Sequence, residues 1–146
     1  MGERDETRQE FQRALHRLRQ LPQVARGRVQ SRFSQALLDE TFEIDTPSGP
    51  LKFVILGKRT STRAMCALTK QPATIKWIEA FRPGSVFWDV GANVGVYALY
   101  AALRGDAKVV AFEPAAVNFF LLAANCEANG VDADVAALFG NVEQVC

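Results

Sequence analysis

The residues best suited to chemistry lie in one stretch of the chain. Phe87-Trp88-Asp89-Val90 runs directly into Gly91-Ala92-Asn93-Val94-Gly95, and Glu113 follows 22 residues after Gly91. Glycines let a backbone approach a ligand closely, and a helix that starts just beyond them offers unpaired N–H groups to an anion. An acid at the tip of the next strand suits ribose. A carboxylate only accepts hydrogen bonds, and two adjacent hydroxyls can donate to its two oxygens. Each residue also has a plainer reading. Gly91 and Gly95 could serve only a tight turn and close packing, Asp89 could cap a helix, and Glu113 could be an ordinary strand-end charge. The joint order of strand, glycine turn, helix, strand and acid favours a nucleoside site.

Spacing separates the competing glycine motifs. A P-loop needs a Lys after its last glycine, and Val96 follows Gly95. A dinucleotide fingerprint that begins at Gly91 needs glycines at 93 and 96, where the chain has Asn93 and Val96. Other candidates are weaker. His16, the one histidine, sits among arginines and reads as a surface residue. Cys66, Cys126 and Cys146 are odd in number and form no CxxC, so no disulfide framework or zinc knuckle is indicated and no metal site is expected. Reduced thiols in a cytoplasmic protein are the expectation. Lys58-Arg59-Thr60-Ser61-Thr62-Arg63 could line an anionic or hydroxylated substrate, but reads first as a solvated loop.

The elements that must position the turn can be read around it. Residues 86–90 are a nearly continuous apolar run, as in a parallel strand buried on both faces. A helix is expected over 96–103, a second strand over 108–113, and a helix over 115–129 that ends at Gly130 as a left-handed cap. A third strand-like run covers 134–138. Upstream, alternation over 42–45, the turn residues Thr46-Pro47-Ser48-Gly49-Pro50 and the run 51–56 predict a β-hairpin closed by Gly57. Pro72 opens a helix through Phe81, with Ile75, Ile78 and Phe81 on one face and Trp77 beside it.

Composition bounds the whole. With 146 residues, 49% hydrophobic and a net charge of +1, the chain has enough apolar surface for one domain, which excludes disorder. Charge is uneven. Residues 1–32 carry a net +4, 33–70 a net +1 and 71–146 a net −4. Phe11, Leu15 and Leu18 place an apolar stripe on the basic arm, and Pro22 and Gly27 are expected to end that helix. Such an arm could bind nucleic acid or anionic lipid. Its four acids and single aromatic favour instead a solvated helix docked on its own domain, so no nucleic-acid partner is expected. The longest uncharged apolar stretch, 90–103, is 14 residues, below the roughly 20 needed to span a bilayer.

These motifs resemble a known family. Phe87-Trp88-Asp89-Val90-Gly91-Ala92-Asn93-Val94-Gly95-Val96-Tyr97 resembles the first motif of S-adenosylmethionine-dependent methyltransferases, most closely the FkbM type. Val110-Ala111-Phe112-Glu113-Pro114, then Asn118-Phe119, Leu122, Asn125 and Asn129, continue that family's pattern. Lys70-Gln71-Pro72-Ala73-Thr74-Ile75-Lys76-Trp77-Ile78 resembles its lead-in, with Gln71 and Ala73 where Glu is common. The resemblance covers about residues 58–139. It implies an α/β, Rossmann-like class I methyltransferase fold of about three parallel strands, preceded by an N-terminal helix and a β-hairpin. It implies S-adenosylmethionine as cofactor, with Asp89, Gly91, Ala92, Asn93, Gly95, Glu113, Pro114 and Asn118 on the cofactor side. Gly91 and Gly95 would pass its amino-acid end, Asp89 would organise the loop and the amino group, and Glu113 would hold the ribose. It also implies O-methylation of a hydroxyl on a sugar or secondary metabolite.

On this reading the organisation is a basic helical arm over 1–32, a hairpin and lead-in helix over 33–82, and the front half of the cofactor domain over 83–146. The acceptor side of this fold is built by later strands, so no catalytic base is nominated. The chain is expected to be incomplete and inactive alone, with an unpaired apolar sheet edge open to a partner chain or to self-association. The alternatives are a non-catalytic cofactor-binding or interaction module and, less favoured by spacing, a nicotinamide-binding half-domain.

Overall fold

The computed structural model describes residues 3–66, 68–131 and 135–139. Asp134 and Cys146 lie outside them. The chain divides into two compact units, residues 1–37 and 38–146.

The first unit is helical. Helix α1 spans Glu3–Gln20 and α2 spans Gln23–Asp39, the latter running on into the second unit. Pro22 marks the break, because the residue before a proline is pushed out of the α region. Gly27 ends nothing, contrary to expectation. It lies inside α2 among Ala25, Arg26, Arg28 and Gln30, and one exposed glycine costs a helix only about 1 kcal/mol. Leu15 and Leu18 are half-buried, whereas Phe11 and Phe33 stay more than half exposed. His16 is exposed, 2.9 Å from the side-chain nitrogen of Gln20.

The second unit opens with the expected hairpin. Strands β1 (Thr41–Ile44) and β2 (Leu51–Val54) pair antiparallel, Thr41 opposite Val54. The Thr46 hydroxyl locks the turn by accepting from the Ser48 amide at 3.2 Å and donating to the Gly49 carbonyl at 2.6 Å. Residues 58–63, read from sequence as a solvated loop, lie in helix α3 (Lys58–Met65). Thr60 and Ala64, one turn apart, are buried at 7% and 1% exposure. The polar residues between them are the wet side of a helix whose apolar contact is only two small residues wide. Helix α4 (Pro72–Glu79) follows, with Pro72 in its first turn and Ile78 buried. Trp77 lies edge-on to Phe81 and Phe87, with ring centroids 5.0 and 5.6 Å apart.

Three parallel strands form the main sheet in the order β3 (Ser85–Val90), β4 (Ala107–Glu113), β5 (Val135–Phe139). Helices α5 (Val96–Arg104) and α6 (Ala116–Asn129) make the crossovers. They touch each other and pack on one face of the sheet, as successive right-handed crossovers in one direction require. That face takes Phe87, Val109, Ala111 and Val135 into the core. The other face departs from the expectation of a strand buried on both sides. Val86, Trp88 and Val90 are 55–61% exposed, and Trp88 leans on Phe112 at 5.6 Å. Among the described residues no element covers them.

The hairpin is tied to this layer through side-chain amides. Asn125, fully buried on α6, accepts from the Val54 amide at 2.7 Å and donates to the Val94 carbonyl at 2.8 Å. One turn on, Asn129 accepts from the Lys52 amide at 2.8 Å and donates to the Lys52 carbonyl at 2.7 Å. The amides of Lys52 and Val54 point to the same edge of β2, since strand residues alternate. Two asparagines four apart on a helix thus substitute for a neighbouring strand. Asn125→Ala should lower stability by about 2–4 kcal/mol in urea unfolding, because it orphans a buried N–H and a buried C=O. Val117→Ala, at an exposed position on the same helix, should change it by less than about 0.5 kcal/mol.

Candidate functional site

The glycine turn joins β3 to α5. Gly91 has φ +81°, Asn93 φ +57° and Gly95 φ +89°, so three of five residues sit in the left-handed region. Asn is the side chain that tolerates it best after glycine, and its Oδ1 accepts from the next amide, Val94, at 3.0 Å. The two glycines differ in kind. A Cβ on Gly91 would meet nothing within 4 Å, whereas one on Gly95 would lie 2.6 Å from Leu122 Cδ1. Gly95 is where α5 presses onto α6, and Gly91 opens onto free space. The amides of Gly91 and Ala92 both bond the Phe112 carbonyl, at 2.9 and 3.0 Å, which pins the turn to the end of β4.

Two buried carboxylates hold the turn from behind. Asp89 Oδ2 accepts from the Ala98 amide at 3.1 Å, in the first turn of α5. Its other oxygen has no protein donor among the described residues. Burial pushes the Asp89 carboxyl up to about 6; the Ala98 hydrogen bond opposes this, and the nearby Glu113 charge adds to it. Glu113 uses both oxygens. Oε2 accepts from the Asn93 amide at 2.8 Å, and Oε1 from the Ala115 amide at 2.8 Å and the Asn118 side chain at 3.3 Å. One strand-end acid therefore joins the glycine turn to the β4–α6 turn.

In front of the turn lies a cleft of about 160 Å3. One wall is Gly91, Ala92, Asn93 and Val94 with Val96 and Tyr97 of α5; the other is Arg63, Cys66, Lys70 and Gln71. The Tyr97 hydroxyl donates across it to Gln71 Oε1 at 3.2 Å. Burial, with the Asp89 charge second, raises the Tyr97 phenol above its ordinary value. Of the eight residues singled out from sequence, Gly91, Ala92 and Asn93 line the cleft. Asp89, Gly95, Glu113 and Asn118 shape the turn without forming its wall, and Pro114 is exposed at the end of β4. Sequence reasoning missed the opposite wall as a unit. The signals for it were Arg63, in a polar run that could line an anionic substrate, and Lys70, at the start of the lead-in motif, and spacing alone does not fold either back onto a distant turn.

A parallel sheet whose first strand ends in Asp and a glycine turn, and whose second ends in Glu, is the α/β architecture of class I methyltransferases, as the sequence led us to expect. No protein-family model matches the chain. The chain resembles 31-O-demethyl-FK506 methyltransferase FkbM of Streptomyces tacrolimicus, with 53% identity over 45 residues, which are 30% of this chain and 17% of that protein. A Pyrococcus horikoshii protein described as a transferase superposes with a TM-score of 0.52 at 21% identity, over 73% of this chain and 38% of its own. TYW2 of the same organism, solved in complex with MeSAdo, gives 0.50 at 22% identity, over 70% of this chain and 37% of its own. The matches thus span less than two-fifths of the solved relatives and about a sixth of the curated one.

Two outcomes follow. Gly95→Ala should cost about 3 kcal/mol by chemical unfolding, from left-handed strain plus the collision with Leu122, whereas Gly91→Ala should cost about 1 kcal/mol from strain alone. Asp89 sets a pH signature. Its folded value of about 6 exceeds the unfolded value of 3.8, so the folded chain holds an extra proton between them. That contribution is fully present below about pH 4 and is lost as pH rises through 6. Wild type minus Asp89→Asn should therefore lose on the order of 2 kcal/mol of stability between pH 4 and pH 7.

Proposed function

We propose that residues 38–146 bind S-adenosylmethionine across the glycine turn, and that the chain serves an S-adenosylmethionine-dependent methyltransferase. The acceptor is a hydroxyl of a sugar or secondary metabolite, as the resemblance to the FkbM type implies. The observation that carries this reading is Asp89: a buried carboxylate with one oxygen fastening α5 and the other without a donor among the described residues, behind a wall of Gly91, Ala92 and Asn93. A ligand ammonium fits such a group, and the open space over Gly91 lets a ligand lie against bare backbone. The cofactor supplies an electrophilic sulfonium methyl. The chain supplies position, which such an in-line displacement needs most. The turn fixes the ligand's amino-acid end, and Glu113, with about one acceptor position beyond those its three donors use, accepts from a ribose hydroxyl beside Asn93.

A second reading is a cofactor-binding or interaction module without turnover. Among the described residues the face of Val86, Trp88 and Val90 is uncovered and its strand is paired along one edge, which favours it. A nicotinamide half-domain fits less well, because Asn93 and Val96 occupy positions where that fingerprint needs glycine.

Calorimetric titration tests the reading. S-adenosylhomocysteine should bind and NAD should not. Because an ammonium needs the ionised form of Asp89, affinity should fall about tenfold from pH 7 to pH 5, and Asp89→Asn should flatten that dependence. Tight NAD binding with none of S-adenosylhomocysteine would overturn the assignment.

A further inference from the structure

Charge in the helical unit is segregated. The four acids of residues 1–32 are Glu3, Asp5, Glu6 and Glu10. From Phe11 to Leu38 the chain has no acid and six arginines, Arg13, Arg17, Arg19, Arg26, Arg28 and Arg32. Five of these are exposed and Arg26 is half-buried. Among the described residues none of them meets a carboxylate within ion-pair distance, although residues 71–146 carry a net −4. Their positive field is therefore not neutralised within the described chain. Composition over 1–32 averages the acidic start with this stretch, and it stops one residue short of Phe33.

Helix α2 adds an apolar stripe to that field. Val29, Phe33 and Leu37 are four residues apart and share one face, with Ala36 beside them. They are 45%, 59% and 38% exposed, and α2 has no buried residue. Arg28 and Arg32 run along one flank of the stripe, and Arg26 stands at its N-terminal end. A single exposed Val or Leu is ordinary, but an aligned apolar row among unpaired cations is not. Polynucleotide phosphates would complement the arginines alone and leave Val29, Phe33 and Leu37 in water. An anionic bilayer complements both. The stripe enters the boundary between headgroups and acyl chains, and the arginine stems lie along it with their charged heads at the lipid phosphates.

We propose that helix α2 is a docking surface for anionic lipid. It lies in the plane of the leaflet and tethers the chain reversibly. This is a surface contact and not a span: among the described residues no helix is long and apolar enough to cross a membrane. The proposal does not depend on the cofactor reading.

The test is co-sedimentation of the full chain with vesicles. Phosphatidylcholine vesicles with about a third phosphatidylserine should bind at least about tenfold more tightly than phosphatidylcholine alone, and added salt should weaken that binding. V29Q/F33Q removes the stripe and keeps the arginines, and R28Q/R32Q does the reverse. All four side chains are exposed, so the unfolding midpoint should stay that of wild type. Each variant should lose at least about tenfold in affinity for the phosphatidylserine vesicles, whereas R28K/R32K, which keeps both charges, should bind within about threefold of wild type. Vesicle binding that V29Q/F33Q leaves unchanged, with equally tight binding of a DNA duplex, would assign the arginines to phosphate alone and overturn the proposal. A chain that binds neither vesicle overturns it too, including one that self-associates and turns monomeric on V29Q/F33Q.

Discussion

The second unit is organised around the amide of Asn125. It is fully buried, yet both its ends are used: one takes the Val54 amide of the hairpin, the other gives to the Val94 carbonyl of the glycine turn. A buried polar group without partners costs a few kcal/mol, so this side chain is tolerated only where both bonds form together. Hairpin, helix α6 and glycine turn therefore constrain each other. Val94, Val54 and Leu121 close over the same point as a small apolar cluster, which excludes water from the bonds. An aliphatic residue there would pack but could not set the turn, because the specificity lies in the direction of two hydrogen bonds.

With Val94 anchored, the rest of the turn is under strain that other groups must balance. Asn93 in the left-handed region and the amides around it would cost stability alone. Glu113 and Asp89 offset this from the core side, each accepting a backbone N–H of the turn or of the helix after it. The acids thus have a structural duty before any ligand arrives. That revises the plain division between ligand acid and capping acid. Asp89 caps α5 through one oxygen and leaves the other without a donor among the described residues. Glu113, read from sequence as the ribose acid, is only 4% exposed and takes three donors inside the chain, which leaves one of its roughly four acceptor positions for a ligand.

Legibility followed the range of the interactions. The strand–turn–helix order, Gly130 at φ +64° as the cap of α6 and the hairpin could all be read, because each rests on local backbone preference. Residues 58–63 could not, since whether a polar run is a loop or a helix depends on a contact as narrow as Thr60 and Ala64. Gly27 misled for the opposite reason: a local breaker was outweighed by its helix-forming neighbours. The bare face of β3 was hidden too, because an apolar run states what a strand could bury and not which neighbours cover it. Asn125 and Asn129 stood in the sequence as motif letters. Their partners in the hairpin lie more than 70 residues upstream, a relation that only the folded chain reveals.

The raised carboxyl of Asp89 links the site to the stability of the fold. Burial holds it near 6, so close to neutral pH it is ionised in surroundings that disfavour its charge. A cationic ligand group placed against its second oxygen would remove that penalty and pull the pKa back toward its ordinary value. Binding free energy would then appear partly as stabilisation of the β3–α5 junction, because the same carboxylate holds the Ala98 amide. On that reading, ligand binding and helix capping would be one electrostatic event at this residue. The cost of burying the charge of Asp89 would then favour a ligand that brings a cation to it.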